Sequence, residues 1–322
     1  MGGADFKELW IQNRLRHTKH HLMHGAVRKT LSTFIWITAI AAAQADPGDQ
    51  LTTLMDSMPD VINNAYVEIR SDAALTNAGA LAAQFVDAYN FDRRLLGLTS
   101  NQLLNKRFVV GLATENTLQR FMKSTTGGRA FGNDSFISHA NFYSERPDFA
   151  WFVTAHELEH LQMHRLRAKE PDVPVYIFEG IACSVGDRYV FSKFGKCKYL
   201  QNAVGKLSSV SASDAADVIQ NFRDSDSVAN FKAQNKLWQG EHIGGLFIEY
   251  LQSKYPSGKF FLLFGQICED VSAGNTFEAA FQRRMGTSLA SAESEFLSHI
   301  TSTENSPRSR FANTIYAGFS DK

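Results

Sequence analysis

Residues 147–169 read PDFAWFVTAHELEHLQMHRLRAK and residues 175–191 read VYIFEGIACSVGDRYVF. These two stretches decide the fold. Pro147-Asp148 opens the first as a helix, Pro171 and Pro174 mark a loop, and the second runs on as another helix. Within the first lies His156-Glu157-Leu158-Glu159-His160, an HExxH sequence. Residues four apart on a helix sit about 40° apart around the axis and one turn along it, so both imidazoles can grip one ion. Zinc takes such nitrogen ligands, and in hydrolases it keeps one position open for water. Trp151, Phe152, Val153, Leu158 and Leu161 make the rest of the helix apolar, and burying two His and a Glu there without partners is costly. The bland rival is a surface helix with scattered His and Glu.

A catalytic zinc needs a third protein ligand. The metzincin arrangement requires Gly at 163 and His at 166, where this chain has Met163 and Leu166. Glu179 follows His160 by nineteen residues and stands alone in the apolar run VYIFEGIAC. An ionised carboxylate in such surroundings wants a cation, either a metal or an internal salt-bridge partner. Glu170 and Asp172 fall in a polar loop and are expected to be solvated. Helical geometry does not choose a catalytic base between Glu157 and Glu159, since each lies about 80° from the mean direction of the two His.

With these residues in place the sequence resembles the gluzincins, the superfamily of zincin-fold peptidases that includes thermolysin. The resemblance is carried by HELEH and by Phe178-Glu179-Gly180-Ile181-Ala182, which is similar to a Glu-Gly-x-Ala signature. It is close over residues 147–193 and looser over 105–146. It implies one zinc ion held by His156, His160 and Glu179. Glu157 is then the general base, taking the proton of a zinc-activated water and passing it to the leaving amine. Thermolysin-like members carry an Asp one turn after the ligand Glu, and here that position is Cys183. A thiol is a weak acceptor, so the group that orients the zinc imidazole is expected elsewhere, with Asp187 as a candidate, and Cys183 is expected to be buried or disulfide-bonded. The run from His242 to Ile248 loosely resembles a Tyr-x-x-Gly helix, which makes His242 the candidate oxyanion donor; Tyr250 and Tyr255 are alternatives. His164 extends the His stripe by a turn, too far along the axis to ligate.

Around this centre the pattern predicts an α+β, zincin-like chain, mostly helical with a small sheet beside the HExxH helix. Residues 46–104 have helical spacing and form an N-terminal helical segment. Residues 105–195 form the catalytic core, with RFVVGLA at 107–113 as a buried strand and TLQRFMK as a helix ended by Gly127-Gly128. The segment AFGNDSFISHANFY, 130–143, holds one strand or two short ones, and FGNDSFISHANF is a candidate cleft edge for a substrate peptide. Residues 196–322 form a C-terminal helical region, including the amphipathic HIGGLFIEYLQSKY stopped by Pro256-Ser257-Gly258, with a loose polar tail after Ser302.

Arg28-Lys29, the apolar run LSTFIWITAIAAA and the exit Ala43-Gln44-Ala45 read as a secretory signal cleaved after Ala45, with Met23 as an alternative start. Of the 33 basic and 33 acidic residues, 1–45 hold six and two, leaving 27 against 31 in the mature chain. That mild acidity excludes an electrostatic case for nucleic acid, and no stable membrane association is expected after cleavage. Three cysteines, Cys183, Cys197 and Cys268, are too few for a disulfide scaffold. The expected partner is a peptide or protein substrate. The alternative is a zincin-fold secreted binding protein that has lost turnover.

Overall fold

The computed structural model describes residues 47–99, 107–122, 128–132, 134–166, 168, 172–195, 212–256 and 258–301. The leader 1–45, Glu170, Cys197 and the tail after Ser302 lie outside the described residues. Helix α1 (Pro47–Asp56) is followed by β1 (Asp60–Asn63), β2 (Val67–Ser71), α2 (Ala78–Leu95), β3 (Phe108–Ala113) and α3 (Glu115–Met122). Then come β4 (Gly128–Phe131), β5 (Ser135–His139), the short α4 (Phe142–Glu145), α5 (Pro147–Arg165) and α6 (Val175–Phe194). The remainder is α7 (Ala212–Asn221), α8 (Ser225–Ala233), α9 (Leu237–Ser253), α10 (Lys259–Ser272), α11 (Phe277–Met285) and α12 (Leu289–Thr301). The chain is therefore mixed α+β and mostly helical, with one small open sheet.

The sheet runs β1-β2-β3-β5-β4. Its centre is parallel, Ile69 opposite Val110 and Val110 opposite Phe136, while β1 and β4 pair antiparallel at the two edges. Successive side chains on a strand face opposite ways. Val110, Leu112 and Phe136 accordingly join Phe85 and Tyr89 of α2 and Trp151 and Leu158 of α5 in one core. Ala113 and Ile137 join Leu51, Leu54 and Met55 of α1 in a core on the other face. A third core gathers α6, α7 and α9–α12 with Met163 and Leu166 from the end of α5. Helices α5 and α6 thus lie where the sheet layer meets the helical region.

Two expectations are corrected. The segment 46–104 is not purely helical: Pro59 follows α1, and DVIN and VEIRS add two strands to the sheet of the core. Val67 and Ile69 alternate in sequence with the polar Glu68 and Arg70, a period-two signal too short to stand out beside the Ala- and Leu-rich helix after it. The sheet edge also lies earlier than FGNDSFISHANF. Strand β5 is interior between β3 and β4, and the outer strand is β4, Gly128-Arg129-Ala130-Phe131. Among the described residues no helix is long and apolar enough to cross a membrane.

Candidate metal centre

Helix α5 starts with Pro147, whose missing N–H costs nothing in the first turn, while Asp148 in the first turn and His164 and Arg165 in the last suit the helix dipole. Helix α6 starts after Pro174 and is closed by Gly195 in the left-handed region, at φ 64°. The two pack together and bring His156, His160 and Glu179 into one cluster. Glu179 Oε2 lies 3.3 Å from His156 Nε2 and 3.4 Å from His160 Nε2, and the two Nε2 atoms are 3.0 Å apart. A tetrahedral ion with arms of about 2.05 Å sets its ligand atoms ~3.3 Å apart. Two imidazole nitrogens and one carboxylate oxygen at this spacing fit zinc, and they form the kind of three-ligand set that leaves a fourth position open. Side-chain exposures of 13% for His156 and 22% for Glu179 leave the cluster open to solvent on one side.

Neighbouring side chains hold the ligands. Phe178 stacks on the His160 ring at 4.3 Å and on His164 at 5.7 Å, so the residue before Glu179 braces the helix opposite. His164 itself binds the Gly132 carbonyl through Nδ1 at 2.7 Å and is not in the cluster. Cys183 Sγ lies 3.6 Å from His156 Nδ1. The thiol therefore occupies the orienting position, and the expectation that the orienting group must come from elsewhere is corrected. One helical turn separates Glu179 from Cys183, so both stand on the face of α6 turned toward His156. Asp187 is buried a turn further on.

The electrostatics follow from burial and proximity. Burial would raise the Glu179 carboxyl, but the two imidazoles outweigh it and hold Glu179 well below the usual carboxylate range. Burial opposes a proton on His156, yet Cys183, Glu179 and Glu157 together raise it well above the ordinary imidazole value. Burial pushes the Cys183 thiol up to about 11, against the opposing pull of His156.

The two glutamates of the motif part company. Glu157 is buried on the sheet side, and its Oε2 accepts a hydrogen bond from the Ala130 N–H of edge strand β4 at 2.5 Å. Glu159 is fully buried on another face, and burial pushes its carboxyl up to about 8. Tertiary structure thus separates what helical geometry left equal. His242 is buried on α9, with Nδ1 2.6 Å from the Trp238 carbonyl, and is not among the side chains whose ligating atoms converge on the cluster. Tyr250 packs on Phe296 and Tyr255 binds the Met285 carbonyl, both in the helical region. His139 stacks flat on Phe142 at 4.2 Å. Sequence reasoning missed the Ala130 N–H, which leaves no mark in a side-chain pattern, and Glu241, whose charge acts on Cys183 from α9.

Gly180 and Gly244 set the depth of the α6–α9 contact. A Cβ on Gly244 would lie 2.0 Å from the Tyr176 carbonyl oxygen, and one on Gly180 would lie 2.4 Å from the Gly244 carbonyl carbon. Only glycine lets the two backbones approach so closely. Farther along, Arg188 of α6 reaches Glu249 and Gln252 of α9 inside the core. No protein-family model matches the chain, and no curated protein matches it.

Proposed function

We propose that this chain is a secreted zinc-dependent peptidase of zincin-like, gluzincin type. The observation that carries the reading is the convergence of His156 Nε2, His160 Nε2 and Glu179 Oε2 at the spacing of a tetrahedral ion. Zinc bound there supplies Lewis-acid polarisation of a carbonyl and a water of lowered pKa. The Ala130 N–H holds Glu157 Oε2, so Oε1 is the atom that takes the proton from water and returns it to the leaving nitrogen. Strand β4 favours a peptide substrate. Ala130 directs its N–H away from β5, and in an antiparallel ladder its C=O points the same way. That carbonyl, at the end of the sheet, accepts from a substrate N–H laid along β4. His242 stays a proposed oxyanion donor only if substrate binding brings its ring to the scissile carbonyl.

The test is Glu157→Gln with a broad peptide library. The variant keeps its zinc and loses turnover by roughly 10²–10⁴-fold, the usual contribution of a general base. Equal turnover in variant and wild type would remove Glu157 from the mechanism. A second reading, a zinc-holding binder without turnover, is favoured by Cys183 standing where a stronger acceptor is expected. It predicts that wild type is as inert as the variant while both retain zinc.

A further inference from the structure

Behind the metal helix lies a group of oxygens with no donor. Asp92 and Glu159 are each fully buried, and all four of their carboxylate oxygens accept no hydrogen bond among the described residues. Gln162 is also fully buried, and its Oε1 is a fifth such acceptor. Glu159 and Gln162 stand three residues apart on α5, which places them on adjoining parts of one face. Asp92 stands one turn after Tyr89 on α2, and Gln162 Nε2 donates to the Tyr89 carbonyl at 3.0 Å, which brings the two helices together at this level. Burial, with the Glu159 charge added to it, holds the Asp92 carboxyl well above the usual carboxylate range.

Buried acceptors are almost always satisfied, and buried carboxylates are paired or hold a cation. The basic side chains nearby are engaged elsewhere. Arg188 pairs with Glu249, Arg165 with Asp134, and Arg93 donates to the Leu98 carbonyl. Arg94, whose charge acts on Asp92, is exposed. His156 faces Glu179 across the zinc centre. Five acceptor oxygens with two formal negative charges match a hard divalent cation, which takes oxygen ligands and completes its shell with water. The Cys268 thiol of α10 also lies in the field of Glu159, but burial raises it well above its ordinary value and keeps it a protonated, poor ligand for such an ion.

We propose that Asp92, Glu159 and Gln162 form a second, buried cation site for a hard divalent ion of the calcium–magnesium class, distinct from the His156–His160–Glu179 centre. The ion ties α2 to α5 and braces the HExxH helix from behind, because Glu159 adjoins His160 in the chain. The site does not depend on the peptidase reading.

The full chain, purified without chelators and dialysed against metal-free buffer, is analysed for calcium, magnesium and zinc by elemental mass spectrometry. The expected result is about one calcium or magnesium per chain beside zinc, lost in Asp92→Asn with Glu159→Gln while zinc stays. Added calcium raises the Tm of calcium-depleted wild type by about 5 °C at a hundredfold excess over Kd, and leaves the double variant unmoved. If the double variant does not fold, Asp92→Asn alone and the wild-type calcium and magnesium titrations decide. Wild type without either ion, and a Tm indifferent to both, would overturn the proposal and leave two protonated carboxyls in the core. A calcium-induced rise of equal size in wild type and variant would overturn it as well, by placing the ion elsewhere.

Discussion

At His156 the two ring nitrogens have different work. Nε2 faces Glu179 and His160, while Nδ1 meets the Cys183 thiol at 3.6 Å. A group on the far nitrogen fixes the tautomer and the ring direction of a metal ligand, and its removal typically weakens metal binding about 10–100-fold. Cys183→Ala is therefore expected to weaken zinc by about 10-fold, toward the lower end because a thiol is a weak acceptor, and Cys183→Asp to tighten it. Competition with a zinc chelator measures both; an unchanged affinity in Cys183→Ala would mean that the thiol only fills space. The pH dependence has a definite sign. In the metal-free chain His156 keeps its proton to a pH well above the ordinary imidazole value. That proton must leave before zinc binds, so affinity falls as pH falls, beginning above about 6.5. Zinc titrations across pH 5–9 check this, and a flat profile would contradict the placement of Glu179 beside the imidazole.

Among the elements, the α5–α6 pair carries the ligands and the α6–α9 pair sets where α6 lies. Gly244 is the point of closest approach, with a Cβ position only 2.0 Å from the Tyr176 carbonyl oxygen. Backbone cannot yield like the end of a long side chain, so Gly244→Ala forces the helices apart. Overpacking of this kind costs about 1–3 kcal/mol. Because Gly180 and Glu179 are adjacent on α6, the same substitution is expected to weaken zinc as well as stability. Denaturant unfolding and zinc titration of the variant report the two effects. A stable variant with normal zinc affinity would show that the contact is looser than drawn.

For the whole molecule, the proposed zinc centre, the His156–His160–Glu179 cluster, lies on α5 and α6, where the sheet layer meets the helical region. An ion held only by the folded chain stabilises it in proportion to ln(1 + [L]/Kd). Chelation of zinc is expected to lower the Tm by about 5 °C or more if the site binds zinc at a hundredfold excess over Kd. Glu179→Ala should unfold near the temperature of the chelated wild type and be insensitive to zinc. Thermal scans with and without chelator test this, and a Tm independent of zinc in wild type would sink the metal centre itself.

Much of this was determined by residues near one another in the chain. The HExxH spacing needs only a helix, and that helix follows from Pro147, an uninterrupted apolar run and a basic last turn. Glu179 stood out because a lone carboxylate in VYIFEGIAC has no local partner. The strand at 107–113 and the helices from 237 on were readable for the same reason, a local period long enough to register. What required tertiary structure was every pairing across distant segments. VEIRS becomes a strand only because β3 offers it a ladder, and DVIN because VEIRS in turn does. Cys183 reaches His156 only because α6 lies against α5. Glu157 differs from Glu159 only because β4 supplies an N–H on one face of the helix, while the other face is buried against α2. Side-chain identity and helical period specify which groups share a face, but the partner of that face is set by packing, and a single sequence carries no direct record of it.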